Sequence, residues 1–179
     1  MRKWDARHLS DQRDYELQRQ NHFEVKFISN DYITFPDDFK LAVQSFPAPN
    51  EEQEAVEVEY GNTSVNYAGT VSWGDGTITL RDFVGKRIKD TVRKWRKLAF
   101  DYETGMIGHA ETYKCKGIVT EYSPDGTVTA KWDLIGCWAQ SVDFGTLEHG
   151  SADNLDIEVT VQYDMAIPKD PERYWRSYG

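Results

Sequence analysis

The residue types that most often carry chemistry occur in this sequence without the spacing that chemistry needs. His8, His22, His109 and His149 fall in separate segments, and none stands three or four residues from another histidine or from an acid-rich ligand motif on a helix. There is no GxSxG elbow to expose a serine, no HExxH pair, and no glycine loop with a following lysine to cradle a phosphate. Gly74-Asp75-Gly76-Thr77 reads as a turn rather than a phosphate site. Asp133 and Asp143 could pair across strands for acid–base work, as glycosidase carboxylates do, but any acidic β protein offers such pairs. Cys115 and Cys137 lie 22 positions apart without the paired spacing of a zinc site. They read as buried free thiols, with a disulfide as the alternative. The expectation is a protein with no catalytic residue, no metal and no cofactor.

What the sequence concentrates instead is charge. Glu51, Glu52, Glu54, Glu57 and Glu59 crowd one short stretch, while Lys86, Arg87, Lys89, Arg93, Lys94, Arg96 and Lys97 crowd another against the single acid Asp90. The whole chain carries a formal charge of -9, so outside the basic stretch it is strongly acidic. Gripping nucleic acid needs cations that displace counterions from phosphates, and this balance argues against it. The basic stretch is open to three readings: a solvated face, a contact with a protein neighbour, or direct binding to DNA or an anionic membrane.

Both charged stretches must sit on elements that hold them in place. At 179 residues the chain suits one domain, and its 24 aromatic residues, with Val and Thr in the periodic segments, favour pleated, half-buried surfaces. Phe23, Val25 and Phe27 alternate with Glu24 and Lys26, which gives a strand. A second is expected over Asp37 to Phe46, with Phe39, Leu41 and Val43 on one face and Pro47 and Pro49 ending it. Val56, Val58 and Tyr60 alternate with Glu57 and Glu59 up to a Gly61-Asn62 turn, and Val65 and Tyr67 continue beyond it. That is a long hairpin. Gly74-Asp75-Gly76-Thr77 and Pro124-Asp125-Gly126-Thr127 both carry the Asp-Gly hairpin signal. Further strands are expected over 77–83, 113–122, 127–136 and 141–147. The last is expected over Leu155 to Tyr163, with Asp156 and Glu158 on its polar face. One helix interrupts the strands, its stripe formed by Val84, Ile88, Val92, Trp95 and Ala99.

Residues 1–20 are charged and rich in Gln, and read as an arm; 168–179 read as a C-terminal extension. No apolar run reaches the roughly 18 residues that span a bilayer, and MRKWDARHLS lacks the apolar core of a signal peptide. The chain reads as soluble and made in the cytoplasm.

This order of elements resembles the tail-tube proteins of contractile-tailed bacteriophages. VEYGNTSVNYAG, the strand TITLRDF and the helix over 85–98 look like that family's stacking hairpin, strand and helix. Tyr113 to Glu121, the PDGT turn and WDLIGCWAQSVDFGTLEHGSADNLDIEVTVQYDMAI look like its closing strands, especially at Ile135-Gly136-Cys137-Trp138. The resemblance covers about residues 21–167.

It implies a mainly β, antiparallel barrel or sandwich with one flanking helix, whose closed barrel is completed in a hexameric ring. Stacked rings would form the inner tail tube, a non-enzymatic conduit for DNA ejection, in a virion assembled in the host cytoplasm. The alternatives are a tube-like baseplate or tail-terminal ring, or the tube of a related injection system. The implied partners are further copies of the chain, a sheath protein, baseplate and terminator proteins, and DNA passing without specific contact; no stable membrane binding is implied. Glu51, Glu52, Glu54, Glu57, Glu59, Tyr60, Asn62 and Asn66 become candidates for contact between subunits. Glu24, Asp133, Asp156 and Glu158 become candidates for an acidic lumen, and Lys86, Lys89, Arg93, Lys94 and Lys97 for a sheath or neighbour contact.

Overall fold

The computed structural model describes residues 19–85, 87–149 and 154–169. Nearly all of the expected arm, Lys86, and residues 170–179 of the expected extension lie outside them.

Strand β1 (Phe23–Ile28) buries Val25 and Phe27 as its alternation requires, and pairs antiparallel with β6 (Cys115–Tyr122) from Phe23↔Glu121 to Ile28↔Lys116. A tight turn joins β6 to β7 (Val128–Asp143), with Gly126 at φ 84° and the Asp125 carboxylate accepting a hydrogen bond from the Thr127 amide at 3.0 Å. The Asp125-Gly126 hairpin signal is therefore correct. Strand β7 is long enough to serve two half-sheets. Its first half pairs with β6 and with β9 (Met165–Pro168), and its second half pairs with β8 (Asp156–Gln162). Beyond β8 lie β5 (Gly76–Arg81) and β2 (Val43–Ser45), giving the order β1-β6-β7-β8-β5-β2 in one curled antiparallel sheet.

The sheet bends at Gly136, which stands at φ 70° between the two halves of β7. A Cβ there would collide with the carboxylate of Asp164, which accepts bonds from Lys114 Nζ at 2.7 Å. Left-handed backbone and a close neighbour both demand glycine here. Gly136→Ala is expected to destabilise the fold by about 1–3 kcal/mol, read as a lower urea midpoint. An unchanged midpoint would show that the bend relaxes freely.

Helix α2 (Ile88–Ala99) packs against β7 and buries Ile88, Val92, Trp95 and Ala99. Trp95 stands 5.1 Å from both the Phe27 and Phe35 rings, and its indole N–H donates to the Tyr113 carbonyl at 3.0 Å. Phe39 packs edge-on to Phe35 at 5.4 Å. The helix enters through Arg87 at φ 51°, so Val84 lies outside it, fully exposed, and does not begin the apolar stripe.

Several local expectations are corrected. Asp37 to Phe46 is not one strand: a helical turn α1 (Phe39–Ala42) precedes β2, and Leu41 is 68% exposed. Pro36 seeds that turn, its carbonyl accepting the Phe39 amide at 2.9 Å, and Phe39 and Ala42 are buried at helical rather than strand spacing. A second helical turn, α3 (Ala110–Tyr113), occupies the start of the expected strand over 113–122. The expected strands over 127–136 and 141–147 are a single strand ending at Asp143, because Gly136 bends the chain without ending it. Strand β9 was not anticipated.

Cys115 and Cys137 face each other across β6 and β7, both buried and both free thiols. Burial is the main cause that pushes both thiol pKa values up, that of Cys137 to about 12. A thiol that cannot ionise is a poor nucleophile. Neither cysteine should react with a disulfide reagent in the native protein, and both should after unfolding in guanidinium; a native signal of one thiol would contradict this burial.

Candidate assembly interface

Strands β3 (Glu51–Tyr60) and β4 (Thr63–Trp73) form a two-stranded sheet of their own. The expected Gly61-Asn62 turn joins them, with Gly61 at φ 63° in the first central position, as a type II′ hairpin turn requires. Gly74 to Thr77 was expected to close a second hairpin, but it connects β4 to β5, which lie in different sheets. The pairing shifts between Gln53↔Val71 and Ala55↔Ala68, so β4 carries an extra residue. Gly69 sits in this bulge, where a Cβ would come within 2.8 Å of the Glu54 carbonyl oxygen, and its own carbonyl accepts a hydrogen bond from the Gln53 side-chain Nε2 at 3.1 Å. A bulge sharpens the twist of the ribbon.

From the bulge to the tip, the hairpin has two unlike faces. Val56↔Tyr67, Val58↔Val65 and Tyr60↔Thr63 place an apolar row on one, while Ala55↔Ala68, Glu57↔Asn66 and Glu59↔Ser64 place a polar, acidic row on the other. Val56, Val58, Tyr60, Val65 and Tyr67 are between 36% and 58% exposed, more than a folded core would leave them. A two-stranded ribbon by itself is marginal in water, and contiguous exposed apolar surface marks an interaction site. Ten residues of strand reach about 30 Å.

All eight residues expected to make subunit contacts lie on this hairpin. Glu57, Glu59 and Asn66 share the polar face, Tyr60 belongs to the apolar face, and Asn62 is at the tip. Glu51 and Glu52 stand below the bulge, opposite Trp73 and Ser72, and Glu54 stands at it. None of the five glutamates forms an ion pair among the described residues. Of the apolar row only Tyr60 was among the expected contact residues. The row's alternation was visible, but alternation signals one buried face without saying whether this chain or another buries it.

The four acids expected to share a lumen are divided between the half-sheets. Glu24 lies 3.8 Å from Lys40, and Asp133, only 14% exposed, lies 2.8 Å from Lys116. Their half-sheet face also carries Lys26 and Lys131, so it is not acidic. Asp156 and Glu158 project from β8 beside Thr160, with Thr77 and Thr79 on β5 and Asp143 on β7 as register neighbours. Gln44 donates to Asp156 at 3.0 Å. This second face is hydroxyl-rich and acidic, with Arg81 its cation opposite Asp156.

On α2, Lys89 and Arg93 lie over the Phe144 ring at 5.3 and 5.1 Å. Arg93, Arg96 and Lys97 form one wall of a groove of about 680 Å³, with Gln140, Val142 and Phe144 opposite. Lys97 contacts Asp101 at 3.6 Å and Glu103 at 3.3 Å, and the bond to Glu103 is the main cause that raises its pKa. Lys94 is exposed and does not line the groove. Among the described residues no three His, Cys, Asp or Glu side chains are placed to hold a metal, and no helix is long and apolar enough to cross a membrane.

No protein-family model matches the sequence, and no curated protein matches it. Solved structures do match in shape. A chain of the six-fold symmetrised anti-feeding prophage baseplate superposes with a TM-score of 0.66 at 14% identity, over 87% of this chain and 97% of that one. The sheath-tube complex of an extracellular contractile injection system in its extended state gives 0.64 at 14% identity, over 94% and 100%. The SPP1 tail tube gives 0.57 at 13% identity, over 87% and 80%. The curled antiparallel sheet, its packed helix and the projecting hairpin are thus the fold of tail-tube proteins of contractile injection systems.

Proposed function

We propose that this chain is a structural, non-enzymatic subunit that forms hexameric rings and stacks them into the inner tube of a contractile phage tail. The observation that carries the reading is the hairpin β3-β4, whose apolar row faces solvent on a fold shared with tube proteins. Among the described residues β1 and β2 are the outer strands of the sheet, and their outward backbone groups are ones that a neighbouring subunit can pair. Rotation about a closing axis gives a ring, and axial head-to-tail contact gives a growing tube.

In this reading the face of β5 and β8, with Asp156, Glu158 and Asp143 among threonines, lines the channel, and like charge keeps passing DNA from adhering. Glu24 and Asp133, each beside a lysine, are poorer lumen residues. Sheath, baseplate and terminator proteins are the further partners, and the virion tail is the location. A tube-like baseplate ring is the second reading, favoured by the likeness to a baseplate chain.

Electron microscopy of the purified chain tests this directly. Long hollow tubes with a negative channel support the first reading, and single rings support the second. Monomers at all concentrations, or a basic channel, would overturn it.

A further inference from the structure

The groove along α2 carries Arg93 and Arg96 outside the buried face that fastens the helix, which is held through Ile88, Val92, Trp95 and Ala99. We infer that this groove receives the acidic face of the hairpin from a second copy of the chain. The inference rests on the tube reading and specifies one of its contacts.

Charge complementarity selects the occupant. The hairpin spanning Glu51–Tyr60 and Thr63–Trp73 contains no lysine or arginine, and Glu57 and Glu59 project from the same face beside Asn66 and Ser64. The groove presents Arg93, Arg96 and Lys97, but Lys97 is already paired with Glu103, which also lines it, so Arg93 and Arg96 are the cations left to meet a carboxylate, with the polar Gln140 and Ser141 among the other lining residues. Arg93 is already steadied over Phe144, so a bidentate bond from its guanidinium to a carboxylate loses less side-chain freedom than a fully mobile arginine would. Glutamates two apart on a strand lie about 7 Å from one another, and Arg93 and Arg96, one helical turn apart, lie about 5 Å apart along the axis. Two carboxylates can therefore meet two guanidinium groups at once. The apolar row on the opposite face stays free for a different neighbour.

Within one chain the hairpin and the groove belong to separate sheets. Joining the hairpin of one copy to the groove of the next is a head-to-tail contact, which propagates when the copies are related along the tube axis and closes into a ring only if its rotation does.

A charge swap tests the contact. Three variants are compared with the wild type by electron microscopy and sedimentation: Glu57→Arg with Glu59→Arg, Arg93→Glu with Arg96→Glu, and all four changes in one chain. The first two are expected to lose assembly, with each monomer keeping its circular dichroism and melting temperature. The four-fold variant is expected to recover assembly to at least half the wild-type yield. If the hairpin variant fails, the helix variant assembles normally and the four-fold variant is not rescued, the tube reading stands but the groove is not the hairpin's partner. If the hairpin variant assembles at the wild-type yield, the inference fails outright.

Discussion

Val58→Asp is expected to abolish rings and tubes while leaving a folded monomer. Val58 pairs with Val65 at the middle of the exposed apolar row, and among the described residues its strands pair only with one another. Within one subunit the change alters an exposed site, where substitutions typically stay within about 0.5 kcal/mol. The melting temperature should therefore move by no more than about 2 °C for a domain of this size. At an interface the same carboxylate must lose its water without a partner, which costs several kcal/mol in each copy. Assembly repeats the contact in every subunit, so the penalty is never diluted. Val58→Ile retains the apolar shape and should assemble normally. Sedimentation of the three proteins side by side decides the matter, and wild-type tubes from Val58→Asp would show that this row is not buried on assembly.

The largest loss of stability is expected from Trp95→Ala. Trp95 is 1% exposed, touches Phe27 and Phe35 at 5.1 Å, and satisfies the Tyr113 carbonyl. Truncating a buried tryptophan costs about 3–5 kcal/mol, and the orphaned carbonyl adds roughly another 1 kcal/mol. Domains hold only about 5–15 kcal/mol in total, so the variant should be partly unfolded at 37 °C. Trp95→Phe keeps most of the ring and should lose much less. Urea unfolding followed by far-UV circular dichroism separates them; similar midpoints would mean that the cluster repacks around the gap.

The sequence was most informative where one local signal had one physical outcome. Alternation in Phe23 to Phe27 and Leu155 to Tyr163 placed β1 and β8, and Gly61-Asn62 placed the hairpin tip. It misled where a signal has two outcomes. Gly74-Asp75-Gly76 turns the chain as expected, but only tertiary pairing decides that β4 and β5 separate afterwards. Phe39, Leu41 and Val43 alternate by coincidence, because Pro36 sets a helical turn that burial of Phe39 and Ala42 then rewards. The hairpin glutamates could be recognised as one acidic stretch, yet the bulge at Gly69 alters how residues on either side of it face, and a bulge has no reliable local signature. Likewise Glu24 and Asp133 looked like free acids until the fold brought Lys40 and Lys116 beside them.

The pairing of the first strand with the sixth has a consequence during synthesis. Phe23 must wait for Glu121, and β5 must wait for β8, so the main sheet cannot form until most of the chain has left the ribosome. At about 5–20 residues per second, β1 remains unpaired for roughly 5–20 s. The hairpin over Glu51–Trp73 needs only its own two-residue turn, and hairpins close in about 1–10 μs. Its pairing is therefore sampled, marginally stable, while the body that will carry it does not yet exist. On neighbouring nascent chains Glu57 and Glu59, on the face opposite the apolar row, would repel their counterparts and so disfavour premature contact.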